Sequence, residues 1–159
     1  MKVSEIMTPD PYTVDAKATV REAARIMREH RVGGLPVLDR GRLVGMVTDS
    51  DLLALLSTRP PSDDLWLPSP LEIIEVPIRE FINWEKTKAA LSDIGTTTVD
   101  HVMSEPPITI SEDAGIEEAA ELMLREGIVR LPVMRGTTLV GIVTRSDIVQ
   151  GLAVSRESA

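Results

Sequence analysis

The feature that most constrains this chain is that it carries the same text twice. Residues Val3 to Leu56 align without a gap on Val99 to Leu152, and about twenty of the fifty-four aligned positions are identical. Met7 falls on Met103, Pro11 on Pro107 and Thr13 on Thr109. Glu22-Ala23-Ala24 matches Glu118-Ala119-Ala120, and Leu35-Pro36-Val37 matches Leu131-Pro132-Val133. Identity on that scale at one fixed offset means a duplicated structural unit. A unit of some fifty residues buries too little apolar surface to be stable alone, so the copies should pack on each other with pseudo-two-fold symmetry.

Each copy reads as strand, helix, strand, strand, helix. Tyr12-Thr13-Val14 is a short extended stretch after Pro11. Val20, Ala23, Ala24 and Met27 then recur at i, i+3, i+4 and i+7, the apolar stripe of a helix, and Ile116, Ala119, Ala120 and Met123 repeat it. Thr19 followed by Glu22 three residues on has the form of a capping box. Gly34 to Leu38 reads as an apolar strand, Asp39 to Arg42 as a turn and Leu43 to Val47 as a second strand, too apolar to face water on either side. Ser50 or Asp51 is expected to cap a last helix through Leu52, Leu53, Leu55 and Leu56. The expected class is α/β (α+β): two βαββα repeats, residues 1–57 and 99–159, joined by a partly helical insert over 58–98.

That insert is a different text. Arg59 to Asp64 is polar and proline-rich, Ile78 to Leu91 has helical spacing, and Gly95 with Thr96-Thr97-Thr98 ends it. It holds Trp66, Phe81 and Trp84, which a purely flexible linker would not carry. They would either cover an exposed edge of the repeat pair or serve as a dimer or partner contact.

Composition narrows the function. The 159 residues include no cysteine, which removes disulfides, thiolate metal sites and a cysteine nucleophile. A formal net charge of −8 argues against binding nucleic acid broadly, because no basic field draws in a polyanion. No apolar run approaches the ~20 residues that cross a bilayer, and the N-terminus lacks a signal peptide's apolar core, so the expected compartment is the cytoplasm. His30, at the end of the first helix, and His101 belong to no repeated constellation and read as surface residues. Glu117, Glu118 and Glu121 form a solvated helix face. With no metalloprotease, nucleophile-elbow or phosphate-loop motif, the chain is expected not to be an enzyme.

The chemistry that remains lies in a repeated heptapeptide, Gly45-Met46-Val47-Thr48-Asp49-Ser50-Asp51 and Gly141-Ile142-Val143-Thr144-Arg145-Ser146-Asp147. A buried strand ends at the threonine and a helix starts after it. Backbone amides and the positive end of the helix dipole should therefore meet near the hydroxyls of Thr48 and Ser50, or Thr144 and Ser146, as an anion site. Asp51 and Asp147 can accept two hydrogen bonds, as a ribose diol would donate. The same residues also make good helix caps without any ligand.

Each copy resembles a CBS domain, named after cystathionine β-synthase, and the tandem resembles the paired unit called a Bateman module. The marks are the Leu-Pro-Val strand, Gly-apolar-apolar-Thr-x-x-Asp kept in full twice, the opening Met-Thr/Ser and the duplication itself. The resemblance implies a regulatory module that binds an adenine nucleotide (AMP, ADP or ATP) between the repeats and signals to another protein. It also implies two cross-paired pockets. One would join Thr13, Ala18, Val32, Gly33 and Gly34 to Thr144, Ser146 and Asp147; the other would join Thr109, Ala114, Ile128, Val129 and Arg130 to Thr48, Ser50 and Asp51. Family habit further suggests a homodimer.

The copies differ where Gly34 becomes Arg130 and Asp49 becomes Arg145. Either arginine can meet a phosphate bidentately, so unequal pockets are expected, with phosphate charge near Arg130 and Arg145; both arginines as solvated surface residues is the plainer alternative. Asp49 would repel a phosphate or call for an ion such as Mg²⁺, unless it is simply solvent-exposed. Two further readings stand beside the nucleotide sensor: an S-adenosylmethionine binder, and a ligand-free module for dimerisation and protein interaction.

Overall fold

The computed structural model describes residues 1–57 and 94–155. The readings made for Trp66, Phe81, Trp84 and the helix over 78–91 lie outside the described residues.

The first copy forms β1 (Thr8–Pro9), β2 (Val14–Asp15), α1 (Val20–His30), β3 (Gly34–Asp39), β4 (Arg42–Thr48) and α2 (Asp49–Ser57). The second forms β5 (Ile110–Ser111), α3 (Ile116–Glu126), β6 (Arg130–Arg135), β7 (Thr138–Thr144) and α4 (Arg145–Ser155). From β2 and β5 onward this is the strand–helix–strand–strand–helix order read from the sequence. In both copies the strand before the helix (β2, β5) pairs parallel with the one after it (β3, β6), which pairs antiparallel with the last (β4, β7). The mixed α+β class is thus the observed one.

Local chemistry explains most element ends. Thr19 Oγ1 accepts from Glu22 N at 3.2 Å while the Glu22 carboxylate reaches back to Thr19 N, closing the expected capping box. The helix ends on Arg31, left-handed at φ +53°, and its counterpart α3 ends on Gly127 at φ +65°. The β3–β4 hairpin turns through Arg40 and Gly41 at φ +51° and +80°, the handedness that two-residue hairpin loops favour.

Two expectations need correction. The first strand is Val14–Asp15, not Tyr12 to Val14: Val14 is buried and Val37 pairs with it, whereas Tyr12 stays outside, stacked on His30 at 3.6 Å between ring centroids. Ala24 is exposed; α1 buries Val20, Ala23 and Met27 and leans on Ile26 instead. α2 buries no residue fully, and α4 buries only Ile148 and Gly151.

What the sequence pattern did not reveal is an exchange. The opening of each copy leaves its own core and enters the other. β1 pairs antiparallel with β7, Thr8 opposite Ile142, and the matching bridge joins Ser104 to Met46. Val3 is fully buried with Leu131, Val133 and Val143 of the second copy, and Val99 with Leu35, Val37 and Val47 of the first. Each exchange is tied by a surface ion pair, Lys2 to Asp113 at 3.0 Å and Lys17 to Asp100 at 2.7 Å. The exchange also explains a glycine present in both copies. A β-carbon on Gly45 would stand 2.7 Å from Met103 Sδ and 2.9 Å from the Ser104 carbonyl oxygen; one on Gly141 would stand 2.5 Å from Met7 Sδ and 3.0 Å from the Thr8 oxygen. Only glycine lets the foreign segment cross the strand that closely.

Candidate functional site

Both repeated heptapeptides fold into the same corner. Thr48 N donates to Asp51 Oδ2 at 2.8 Å, Thr48 Oγ1 donates to the same oxygen at 3.1 Å, and Asp51 N donates back to Thr48 Oγ1 at 3.3 Å. Thr144 and Asp147 repeat this at 2.7, 2.9 and 3.3 Å. This is a capping box in which the strand's last residue caps the next helix. The cap is therefore Thr48 rather than Ser50 or Asp51. The constant spacing of Thr and Asp follows, because N-cap and N3 are the two positions that can satisfy each other's amides.

The box changes the expected anion site. In α2 every amide from Thr48 to Asp51 is taken: Asp49 N donates to the Gly33 carbonyl at 2.9 Å and Ser50 N to Asp49 Oδ1 at 2.8 Å. In α4 Arg145 N donates to the Val129 carbonyl, and no acid at 145 is present to take Ser146 N. Converging free amides are thus not what either corner offers. It offers a threonine hydroxyl, a serine, and one carboxylate oxygen, Oδ1, that the box leaves free.

Two clefts of similar size flank these corners, about 260 and 250 Å³. The first brings Thr48 and Ser50 of copy one to Ile128, Val129 and Arg130 of copy two. The second brings Thr144 of copy two to Val32, Gly33 and Gly34 of copy one. In both, the strand-to-helix corner of one copy faces the segment before the Leu-Pro-Val strand of the other. Asp51 and Asp147 stand behind their threonines, half-buried and bonded to them. Ser146 and Arg145 are exposed at the start of α4 and do not line the Thr144 cleft.

Asp51 and Asp147 line neither cleft, and four more of the site residues read from the sequence lie elsewhere. Thr13 and Thr109 line a larger depression of about 960 Å³ between the two hairpin turns. Ala18 and Ala114 pack against the cores, and their carbonyls accept from Val99 N and Val3 N at 2.8 Å, where the exchanged openings enter. Residues not anticipated take part instead. Tyr12 and Arg31 line the Thr144 cleft, with Ile108 and Gly127 at the matching places in the Thr48 cleft. The signal for them was present as differences between the copies, but its meaning depends on the exchange that carries residues 8–12 and 104–108 across.

Arg130 has a position of its own. It borders both clefts. Its side chain lies over the backbone of the other copy, with Nη2 2.6 Å and Cδ 2.7 Å from where β-carbons of Gly33 and Gly34 would stand. The two copies meet here, and the Arg130 side chain fills the space that side chains at positions 33 and 34 would take.

The pattern of the sequence itself decides the family. The CBS domain family model matches twice, over residues 3–58 and 99–154. The chain belongs to the CBS-domain family. The CBS repeats are similar over nearly their whole length to Methanocaldococcus jannaschii MJ1426, 34% identical over 96% of this chain and 91% of that protein. They are also similar to the CBS domain-containing protein YhcV of Bacillus subtilis, 32% identical over 99% and 89%. Among solved structures, CBSX2 in complex with AMP superposes with a TM-score of 0.69 at 27% identity, covering 98% of both chains. The tandem CBS architecture read from the repeats is thus the one this chain has. No described helix is long and apolar enough to cross a membrane, and no cluster of three or more metal-ligating side chains occurs among the described residues.

Proposed function

We propose that this CBS pair is a regulatory module, without catalysis of its own, that binds an adenosine nucleotide in the clefts between its copies and passes the change in packing to a partner protein. The observation that carries the reading is the pair of cross-built clefts, each setting a threonine of one copy beside an apolar wall of the other, with an aspartate bonded behind the threonine. Hydroxyl and carboxylate suit a ribose, and Val32 or Ile128 with the neighbouring backbone suit the face and edge of a flat base. The AMP-bound CBSX2 relative supports the ligand class. A ligand spanning both copies changes their relative packing only to the extent that it binds one arrangement more tightly.

In this reading residues 1–57 and 99–159 act as one unit, 58–98 is an insert between them, and the protein works in the cytoplasm. A homodimer is part of the proposal. Leu53 and Leu56 on α2 and Val149 and Leu152 on α4 are each 51–63% exposed, and apolar helix faces of that kind suit a second copy.

Thermal unfolding with AMP, ADP, ATP and S-adenosylmethionine tests the function. A ligand at a hundred times its Kd should stabilise the protein by about 2.7 kcal/mol, and the melting temperature should climb with concentration. Unchanged melting with all four would remove the sensor reading and leave a ligand-free interaction module.

A further inference from the structure

The two clefts are lined by largely equivalent positions, and several of the mismatches between them change the charge. Arg31 in the Thr144 cleft corresponds to Gly127 in the Thr48 cleft, and Tyr12 corresponds to Ile108. The guanidinium of Arg130, rooted in the second copy, lies over Gly33 and Gly34, which belong to the Thr144 cleft. Neither Arg31 nor Arg130 makes a side-chain hydrogen bond or ion pair among the described residues, although Asp49 Oδ2 lies 3.2 Å from the same point above Gly33. Asp10 also lines this cleft. The Thr48 cleft has no arginine other than Arg130, and no other charged residue lines it.

Resting on the nucleotide reading, we infer that the clefts are unequal and coupled: the Thr144 cleft takes the phosphorylated adenosine, and Arg130 serves as the one guanidinium that either cleft can draw on. Two unpaired arginines meet a phosphate in the Thr144 cleft, each able to make charge-assisted, paired hydrogen bonds. The Thr48 cleft would have to pull Arg130 back across the axis to do the same. A phosphate bound at one cleft thereby withdraws the cation from the other, so the chain holds one AMP tightly and a second weakly. An unphosphorylated adenosine makes no demand on Arg130 and escapes this coupling.

Isothermal titration of the full chain with AMP and with adenosine tests the inference. Wild type should bind one AMP per chain at least about tenfold more tightly than a second, the size expected of one hydrogen-bonded charge. Arg130→Met keeps the aliphatic stem over Gly33 and Gly34, and Arg31→Met alters an exposed side chain. Each should weaken the tight AMP site by about tenfold while changing adenosine binding by less than about twofold. Gly127→Arg supplies the missing charge in open space, at a left-handed position that Arg31 already occupies in the other copy, and should tighten the second AMP site. Two AMP sites of equal affinity in wild type would overturn the inference, as would an Arg130→Met effect equal for AMP and adenosine. Absence of binding by both compounds is a separate result: it would overturn the nucleotide reading and the inference together.

Discussion

Asp51 and Asp147 each give one carboxylate oxygen to the threonine three residues earlier. Removing either therefore acts on stability even without a ligand. Asp51→Ala and Asp147→Ala should each lower the unfolding free energy by about 1–2 kcal/mol in urea denaturation without nucleotide, the usual loss for a helix cap. Asp100 has a distinct acid response. The ammonium of Lys17 and the hydroxyl of Thr98, which donate to its carboxylate, hold its pKa down at about 2, against an ordinary value of 3.8. A depressed carboxylate stabilises the fold above its unfolded pKa, and that contribution is lost as pH falls through the folded value. Wild type should thus lose stability between about pH 4 and pH 2 by a component that Asp100→Asn lacks, read from melting temperatures across that range.

At the scale of elements, the glycine on each third strand is set by the segment that crosses it. Gly45→Ala and Gly141→Ala each push a methyl group against a thioether and, less yieldingly, a backbone carbonyl oxygen. Each should destabilise by about 1–3 kcal/mol in chemical denaturation, the range for overpacking a filled site. A stability change within a few tenths of a kcal/mol would show that the openings do not pack there. The regular elements themselves were legible: the i, i+3, i+4, i+7 spacing located α1 and α3, and the Leu-Pro-Val and Leu-Val-Gly runs located the hairpins. Two features escaped. Ala24 shares the helical stripe in sequence but sits past the edge of the buried face, a distinction of one turn angle that spacing alone does not resolve. The exchange of openings escaped because Val3, Ile6 and Met7 look the same in sequence whichever core receives them.

At the scale of the whole molecule, duplication did more than build two halves. It made two clefts, each with its polar corner from one copy and its apolar wall from the other. That crossing came from family likeness rather than spacing, and Thr13, Ala18, Thr109 and Ala114 show its limit: they lie near the expected region in sequence but line another depression or the cores. Tyr12 and Arg31, which do line a cleft, needed the three-dimensional path of the opening segment to be found. If α2 and α4 meet a second copy, Leu53→Glu with Leu152→Glu should convert a dimer to a monomer in sedimentation velocity while the fold persists, since both side chains are more than half exposed. The claim on which the functional account rests is the ligand's place between the copies. A crystal structure of the full chain grown with AMP tests it most directly. The account predicts AMP between Thr144 and the Val32–Gly34 segment, with ribose hydroxyls on Asp147 and phosphate beside Arg31 and Arg130. AMP bound only in the depression between the hairpin turns, or two clefts left without nucleotide at saturating AMP, would contradict it.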